Sequence, residues 1–255
     1  MGDVWDKRIE TMGSGSDFTA FQDFAGIPSL DIGFNADSNT PIYHYHSNYD
    51  SFHWMEKFGD PSFQYHATIA QIWGLMAANL VETPVIQLSA TDYAIGLKRY
   101  VGSVKEKAKN AKFLLDEEAA EKLFVNLDEA VSRLTIASQL HDSLATFYLQ
   151  KLYADDIPWW KWWEKVKLFY AIRSINTKYK LLERQFLYAP GLDGRSWFKH
   201  VVFAPGKWTG YSGATFPGIV EAIEDNDKKA AEKWVGIITG LVKGAADSLT
   251  PAEGS

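Results

Sequence analysis

Apolar residues recur every three to four positions along most of the chain, so the pattern predicts helices separated by a few polar turns. The first apolar run, Phe18 to Phe24, follows Asp17 and the turn Gly13-Ser14-Gly15-Ser16, and predicts a short helix that Gly26 stops. Ile27 to Phe34 predicts a short strand, and the polar run from Asn35 to Thr40 a loop. Asp60-Pro61 opens a long helical pattern with Phe63, Ile69, Ile72, Trp73 and Met76 on its apolar side, closing near Thr83-Pro84. Helix, strand, loop and helix in this order predict part of an α/β layer.

A turn-rich stretch from Leu88 to Asp92 separates this region from longer helical patterns. Asp116 to Gln150 carries Leu123, Leu127, Val131, Leu134 and Leu144 close to one stripe, with acidic residues in its first turns, where they suit the helix dipole. Further helices are predicted from Asp156-Ile157-Pro158 to about Phe186, after Phe216-Pro217, and from Asp227 to Leu249. The expected fold is therefore an α/β portion over 1–88 followed by an all-α, four-helix-bundle-like domain over 89–255. Two irregular connections, "LYAPGLDGRSWFKHVVFAPG" and "KWTGYSGATFPG", are long enough to carry function.

Composition narrows the function classes. A net charge of -6 supplies no basic footprint for nucleic acid. With no cysteine, disulfides, thiolate metal sites and a cysteine nucleophile are excluded, while the compartment stays open. There is no Asn-x-Ser/Thr sequon, no run long enough to span a membrane, and no apolar signal core in "MGDVWDKRIE", so the chain as written is expected to be soluble.

The segment "PIYHYHSNYDSF" concentrates candidate metal chemistry in a chain with six histidines. His44 and His46 are two apart, and in an extended strand both would project from one face. That spacing permits a shared metal but also suits a loop whose imidazoles only make hydrogen bonds. Asp50 is open to three roles: ligand, partner to an imidazole, or turn residue.

Several segments, in this order and spacing, carry a wider likeness: "GSGSDFTAFQDFAGIPS", "YHSNYDSFHWMEKFGDPSFQYHATIAQIWG", "DYAIGLKRY", "LLERQFLYAPGLDGR", "FKHVVFAPG" and "YSGATFPGI". Across nearly its whole length the chain resembles the C-terminal part of the glutamate carboxypeptidase II and transferrin receptor family, zinc exopeptidases of the M28 type. The resemblance implies the end of a peptidase domain, then a helical domain that forms homodimers. The family's metal-binding histidine falls on His46, and Tyr45 resembles the hydroxyl that stabilises the oxyanion of the tetrahedral intermediate. His44 has no counterpart role.

In such enzymes two zinc ions share a carboxylate, and a glutamate accepts the proton of a metal-bound water. The family's other ligands and that glutamate precede anything present here, and Glu117-Glu118, at a helix start, cannot replace the base. The resemblance thus implies a chain that contributes one zinc ligand, binds no zinc stably alone and is inactive in isolation. A receptor-like, non-catalytic binding and dimerisation protein is the alternative; retention of His46 argues against the branch whose metal site has degenerated. A self-contained metal site of His44, His46 and Asp50 is a third. A membrane-anchored parent with a luminal or extracellular domain fits the resemblance.

The "GSGxDF" turn lines the family's substrate cleft, which makes Ser14, Gly15, Ser16 and Asp17 candidate substrate-binding residues; a plain helix cap is compatible with that role. Where glutamate-preferring members carry a Lys-Tyr pair for the substrate's terminal carboxylate, this chain has Gly210 and Tyr211, and their arginine patch is replaced by Asp31 and Gly33. Losing one such charged hydrogen bond costs about 1.5–3 kcal/mol. Strict preference for acidic C-terminal residues is therefore not expected of the peptide substrate.

Finally, "DDIPWWKWWEKVKLFY" holds Trp159, Trp160, Trp162 and Trp163 within five residues, with Asp155 and Asp156 as candidate caps. On a helix Trp159, Trp163, Val166 and Tyr170 share a face, Lys161 and Lys165 fall opposite, and Lys167 lies at its edge. Burial in the bundle or a homodimer interface is the favoured reading; contact of Trp159 to Trp163 with a membrane surface is the other.

Overall fold

The computed structural model describes residues 10–35, 38–113, 117–154, 157–208 and 210–251. They form two compact units, one of residues 30–87 and the other of residues 1–29 with 88–255. The cap residues expected at Asp155 and Asp156 lie outside the described residues.

In the 30–87 unit, Ser51 caps a helical turn at Phe52–Trp54 by accepting the Trp54 N–H at 3.2 Å. A tight turn at Pro61–Phe63, with Ser62 and Phe63 both at positive φ, leads into helix α1, Gln64–Glu82. It ends at Thr83, which turns extended just before Pro84, as the residues there require. The helix is where the periodicity puts it, yet none of its side chains is buried: Ile72, Trp73 and Met76 stay 39–54% exposed.

That exposure goes with a correction. Ile27 to Phe34, expected as a strand, has no ladder partner among the described residues and is irregular. A strand needs a neighbour for its backbone groups, and an amphipathic helix needs a layer to cover its stripe. The α/β expectation for the first part of the chain is not borne out; the described residues are mostly helical.

The larger unit holds α2 (Ala90–Asn110), α3 (Glu117–Ala154), α4 (Trp162–Leu182), β1 (Phe203–Pro205), β2 (Gly213–Thr215), α5 (Pro217–Glu224) and α6 (Lys228–Leu249). Helix α2 was not expected. Ser89, Thr91 and Asp92 look like turn residues in sequence, but Ser89 is a helix cap that accepts the Asp92 N–H at 3.0 Å. Its buried residues Ala90, Ala94, Leu97, Val101, Val104 and Ala108 alternate by four and three, one continuous helical face.

Helix α3 packs between α2 and α6. Its buried seam runs through Phe124, Leu127, Val131, Leu134 and His141, so the predicted stripe is right at its centre, with Phe124 in place of Leu123. Asp227 starts α6 by accepting the Ala230 N–H at 3.0 Å, and Trp234, Ile238, Val242 and Leu249 anchor it in the core. Gly218 lies under Trp234: a Cβ there would sit 2.3 Å from the indole, so only glycine lets α5 approach. Antiparallel β1 and β2 are the only sheet among the described residues, pairing Phe203 with Thr215 and Pro205 with Gly213.

Candidate functional site

The histidine segment is a pair of turns. The Ser47 N–H donates to His44 O at 3.2 Å and the Asp50 N–H to Ser47 O at 3.1 Å, and His46 takes a left-handed φ of 58°. His44 and His46 are therefore not in a strand, and the alternation that would put both rings on one face does not apply. The Tyr45 ring stacks on the His46 ring at 3.8 Å, whereas His44 lies beside Tyr49 at 5.7 Å. Asp50 accepts the Tyr43 hydroxyl at 2.8 Å, a bond that raises the phenol's pKa. All of these side chains are exposed.

Among the described residues no three His, Asp or Glu side chains come together as a group that could hold a metal ion. The segment holds two exposed imidazoles, His44 and His46, and the His46 ring is stacked on Tyr45. Just downstream, the Asp60 carboxylate is buried and grips the start of α1, accepting the His66 N–H at 3.0 Å and lying 2.7 Å from His66 Nδ1. Burial raises the Asp60 pKa, but these hydrogen bonds outweigh it and the carboxyl is held below its usual value. The stacked rings of Phe52 and Phe63, 5.5 Å apart, join the end of the histidine segment to that helix start.

In the larger unit, segments almost two hundred residues apart in sequence meet. Met12 and Ser212 form an antiparallel bridge, and the Ser14 hydroxyl donates to Gly210 O at 2.6 Å. The Tyr211 ring fills the space beside Gly15, where φ is 96° and a Cβ would lie 2.3 Å from Tyr211 Cε1. Ser14, Gly15, Gly210 and Tyr211 thus form one surface, with exposed Ser16 and Asp17 continuing from it. The helix expected after Asp17 is present, ending in a wide π-type turn at Ala20–Phe24 that Gly26 stops with a φ of 60°.

The nearby cation Lys207 donates to Asp225 at 2.8 Å, and that hydrogen bond raises its pKa. It is thus already engaged, in the loop where Gly210 supplies no charge. Arg195 secures the neighbouring strand, donating to Pro205 O at 2.7 Å and to the Glu221 carboxylate.

Sequence reasoning missed a buried polar cluster behind this surface. The Asp23 carbonyl accepts the Lys199 and His200 N–H groups at 2.8 and 3.0 Å, tying the first short helix to the strand connection. His200 Nδ1 accepts the Val202 and Phe203 N–H groups, so its ring proton sits on Nε2, 2.9 Å from Glu183 Oε1. The Tyr93 hydroxyl donates to that oxygen at 3.1 Å. The Asp23 carboxyl is fully buried and its pKa is pushed up to about 6 by desolvation, with Gln22, His200 and Arg195 holding it back. The only signal in the sequence was a histidine and a glutamate set within apolar runs.

The family model for the transferrin receptor-like dimerisation domain matches residues 123–250, which cover most of α3, the β1–β2 sheet and α4 to α6. The chain belongs to this family. Its relatives include a probable glutamate carboxypeptidase of Arthroderma benhamiae, 33% identical over 98% of this chain and 32% of the relative. Another, the probable glutamate carboxypeptidase LAMP1 of Arabidopsis thaliana, is 33% identical over 87% of this chain and 28% of its own length. Aminopeptidase NAALADL1 of Rattus norvegicus is 29% identical over 94% and 31%. The chain spans about a third of the length of the relatives it matches.

Proposed function

We propose that the chain is the C-terminal portion of a zinc-dependent exopeptidase, with residues 1–88 closing the peptidase domain and 89–255 forming the dimerisation domain. The observation that carries this reading is the surface of Ser14, Gly15, Gly210 and Tyr211, built from the segments that the resemblance assigns to a substrate cleft. The likeness to relatives named carboxypeptidase and aminopeptidase supports it.

In this reading His46 is one ligand of a two-zinc site completed by residues of the whole protein. Bound zinc supplies Lewis acidity and a nucleophilic water for peptide-bond hydrolysis. Tyr45 donates a hydrogen bond to the oxyanion, and the Gly15–Tyr211 surface holds the peptide. With Lys207 engaged by Asp225 and no cation at Gly210, that surface suits a peptide without an obligatory acidic end. The helical domain joins two copies.

Peptide hydrolysis by the whole protein, abolished by a zinc chelator and restored by zinc, is the expected result; no release of a terminal residue would overturn the reading. The 255-residue chain alone is expected to hydrolyse nothing and to sediment as a dimer, and a monomer at micromolar concentration would remove the dimerisation role.

A further inference from the structure

Trp159, Trp160, Trp162 and Trp163, at the start of α4, are 45–82% exposed and are not part of the bundle core. The converse, a carboxyl shut away from water, lies behind the surface of Gly15 and Tyr211. Asp23 is fully buried in the π-type turn at Ala20–Phe24, on the short helix that follows Ser14 to Asp17. Its main-chain carbonyl accepts the Lys199 and His200 N–H groups at 2.8 and 3.0 Å. From His200, whose Nδ1 accepts the Val202 and Phe203 N–H groups, the chain runs through β1 to the loop that carries Gly210 and Tyr211. Asp23 therefore sits where the two walls of the candidate cleft are fastened to each other.

The site is poorly built for a carboxylate. Oδ1 accepts one neutral donor, Gln22 Nε2 at 3.0 Å, and Oδ2 has no hydrogen-bond partner among the described residues. An ionised carboxyl offers several acceptor positions, and leaving them unmet in the interior costs far more than burying the neutral acid. The charged and titratable groups of the neighbouring connection are engaged elsewhere. His200 Nε2 faces Glu183, which also accepts the Tyr93 hydroxyl, and the Lys199 ammonium lies over the Phe24 ring at 4.2 Å. Arg195 donates to Pro205 O at 2.7 Å and to the Glu221 carboxylate. Its buried Nε, however, has no partner among the described residues, so it can answer a charge on Asp23. Pro205 pairs with Gly213 in the hairpin, and Gly206 N–H donates to Ser212 O at 2.9 Å, so a shift of Arg195 reaches the loop of Tyr211 directly.

We propose that Asp23 is a proton-controlled latch between the Ser14–Asp17 segment and the β1–β2 hairpin. With the carboxyl neutral, the two are fastened and the surface of Gly15 and Tyr211 is whole. With the carboxyl ionised, Arg195 is drawn from Pro205, the fastening loosens and that surface comes apart. Burial lifts the Asp23 pKa to about 6 against the opposing effects of Gln22, His200 and Arg195, so the change falls between mildly acidic and neutral pH. On the reading that this surface holds peptide, which the latch takes from the proposed function, rising pH weakens the hold and acts on KM before kcat.

Hydrogen exchange of the 255-residue chain at pH 5 and pH 7.5, corrected for intrinsic rates, tests the latch without any activity. The Lys199, His200 and Gly206 amides are expected to lose protection about tenfold at the higher pH, the linkage of one proton held with a pKa near 6. The Ala90 and Thr91 amides, which donate to Asp142, should keep theirs. Asp23→Asn, neutral throughout, should keep all of them at both pH values. In the whole protein, KM for a peptide is expected to rise about tenfold from pH 5 to pH 7 as the fastened fraction falls, and to stay flat in Asp23→Asn. Equal protection of Lys199, His200 and Gly206 at the two pH values overturns the proposal, and so does a loss that persists in Asp23→Asn. The exchange of the parent chain decides by itself should that variant fail to fold. Loss of protection at pH 7.5 in a protein that releases no terminal residue would leave the latch standing and remove the peptidase reading.

Discussion

Tyr211 rests against Gly15: the place where a Cβ of residue 15 would stand lies 2.3 Å from Cε1 of the tyrosine ring. Backbone and side chain thus constrain residue 15 separately, through a φ of 96° and through the ring. Gly15→Ala is expected to cost about 1–3 kcal/mol for the backbone alone, plus displacement of the ring. In a Tyr211→Ala background the second part should vanish and the first remain. Urea unfolding of the four proteins measures both; equal effects of Gly15→Ala in the two backgrounds would show that the ring does not press on this glycine.

Asp142 joins three helices. Its carboxylate accepts the Ala90 and Thr91 N–H groups at 3.2 and 2.9 Å, at the start of α2, and the Tyr179 hydroxyl of α4 at 2.7 Å. Burial on its own raises the carboxyl pKa, but hydrogen bonds from Thr91, Tyr179 and the backbone outweigh that and lower it, while burial and the Asp142 bond push the Tyr179 phenol up. A carboxyl held low in the folded state stabilises above its unfolded pKa of about 3.9, and that stability is lost as pH falls through the folded value. Asp142→Asn is expected to destabilise by about 2–4 kcal/mol at pH 7, from charged hydrogen bonds worth about 1.5–3 kcal/mol each, and by less below pH 4. Denaturation midpoints at pH 7 and pH 3.5 check the sign.

These two contacts mark what the chain's local chemistry reveals. Helix ends were legible where one residue decides them: Asp227 before α6, Gly26 after the first helix, Pro84 beyond α1. Helix α2 was missed because Ser89 and Asp92 favour turns and caps for the same reason, side-chain bonding to nearby N–H groups, and only the partner shows which. Ile27 to Phe34 has the composition of a strand, but a strand is a relationship between two segments, and the second is not among the described residues. The meeting of Gly15 with Tyr211, and of Asp23 with His200, depends on tertiary packing that no local spacing encodes.

Asp23 should act on stability with the opposite sign to Asp142. Its carboxyl is buried, Oδ1 accepts Gln22 Nε2 at 3.0 Å, and Oδ2 has no hydrogen-bond partner among the described residues. With its pKa pushed up to about 6 by burial, against the opposing effects of Gln22, His200 and Arg195, the folded state holds a proton between about pH 4 and 6 that the unfolded chain has released. Stability from this group is therefore greatest below pH 4 and is lost as pH rises through 6, a loss of about 2–3 kcal/mol by pH 8. Asp23→Asn is expected to be more stable than the parent at pH 8 by about 1–3 kcal/mol and to lose that advantage at pH 4. Thermal or urea midpoints at the two pH values decide; an advantage of equal size at both would mean that the carboxyl does not titrate in this range.

Tyr45 and His46 are stacked, so their roles need substitutions that separate contact from chemistry. Under the proposed reading of the whole protein, His46→Ala is expected to lower bound zinc and activity together, because a lost imidazole would leave the metal short of a ligand. Tyr45→Phe keeps the ring that packs on His46 at 3.8 Å and removes only the hydroxyl. It is expected to leave zinc content and KM near those of the parent while lowering kcat by about 10²–10³, the effect of losing one oxyanion donor. Tyr45→Ala, which also removes the stacking ring, should add a loss of zinc affinity. Metal analysis beside steady-state kinetics separates these outcomes, and unchanged kcat in Tyr45→Phe would reduce the tyrosine to a support for the His46 ring.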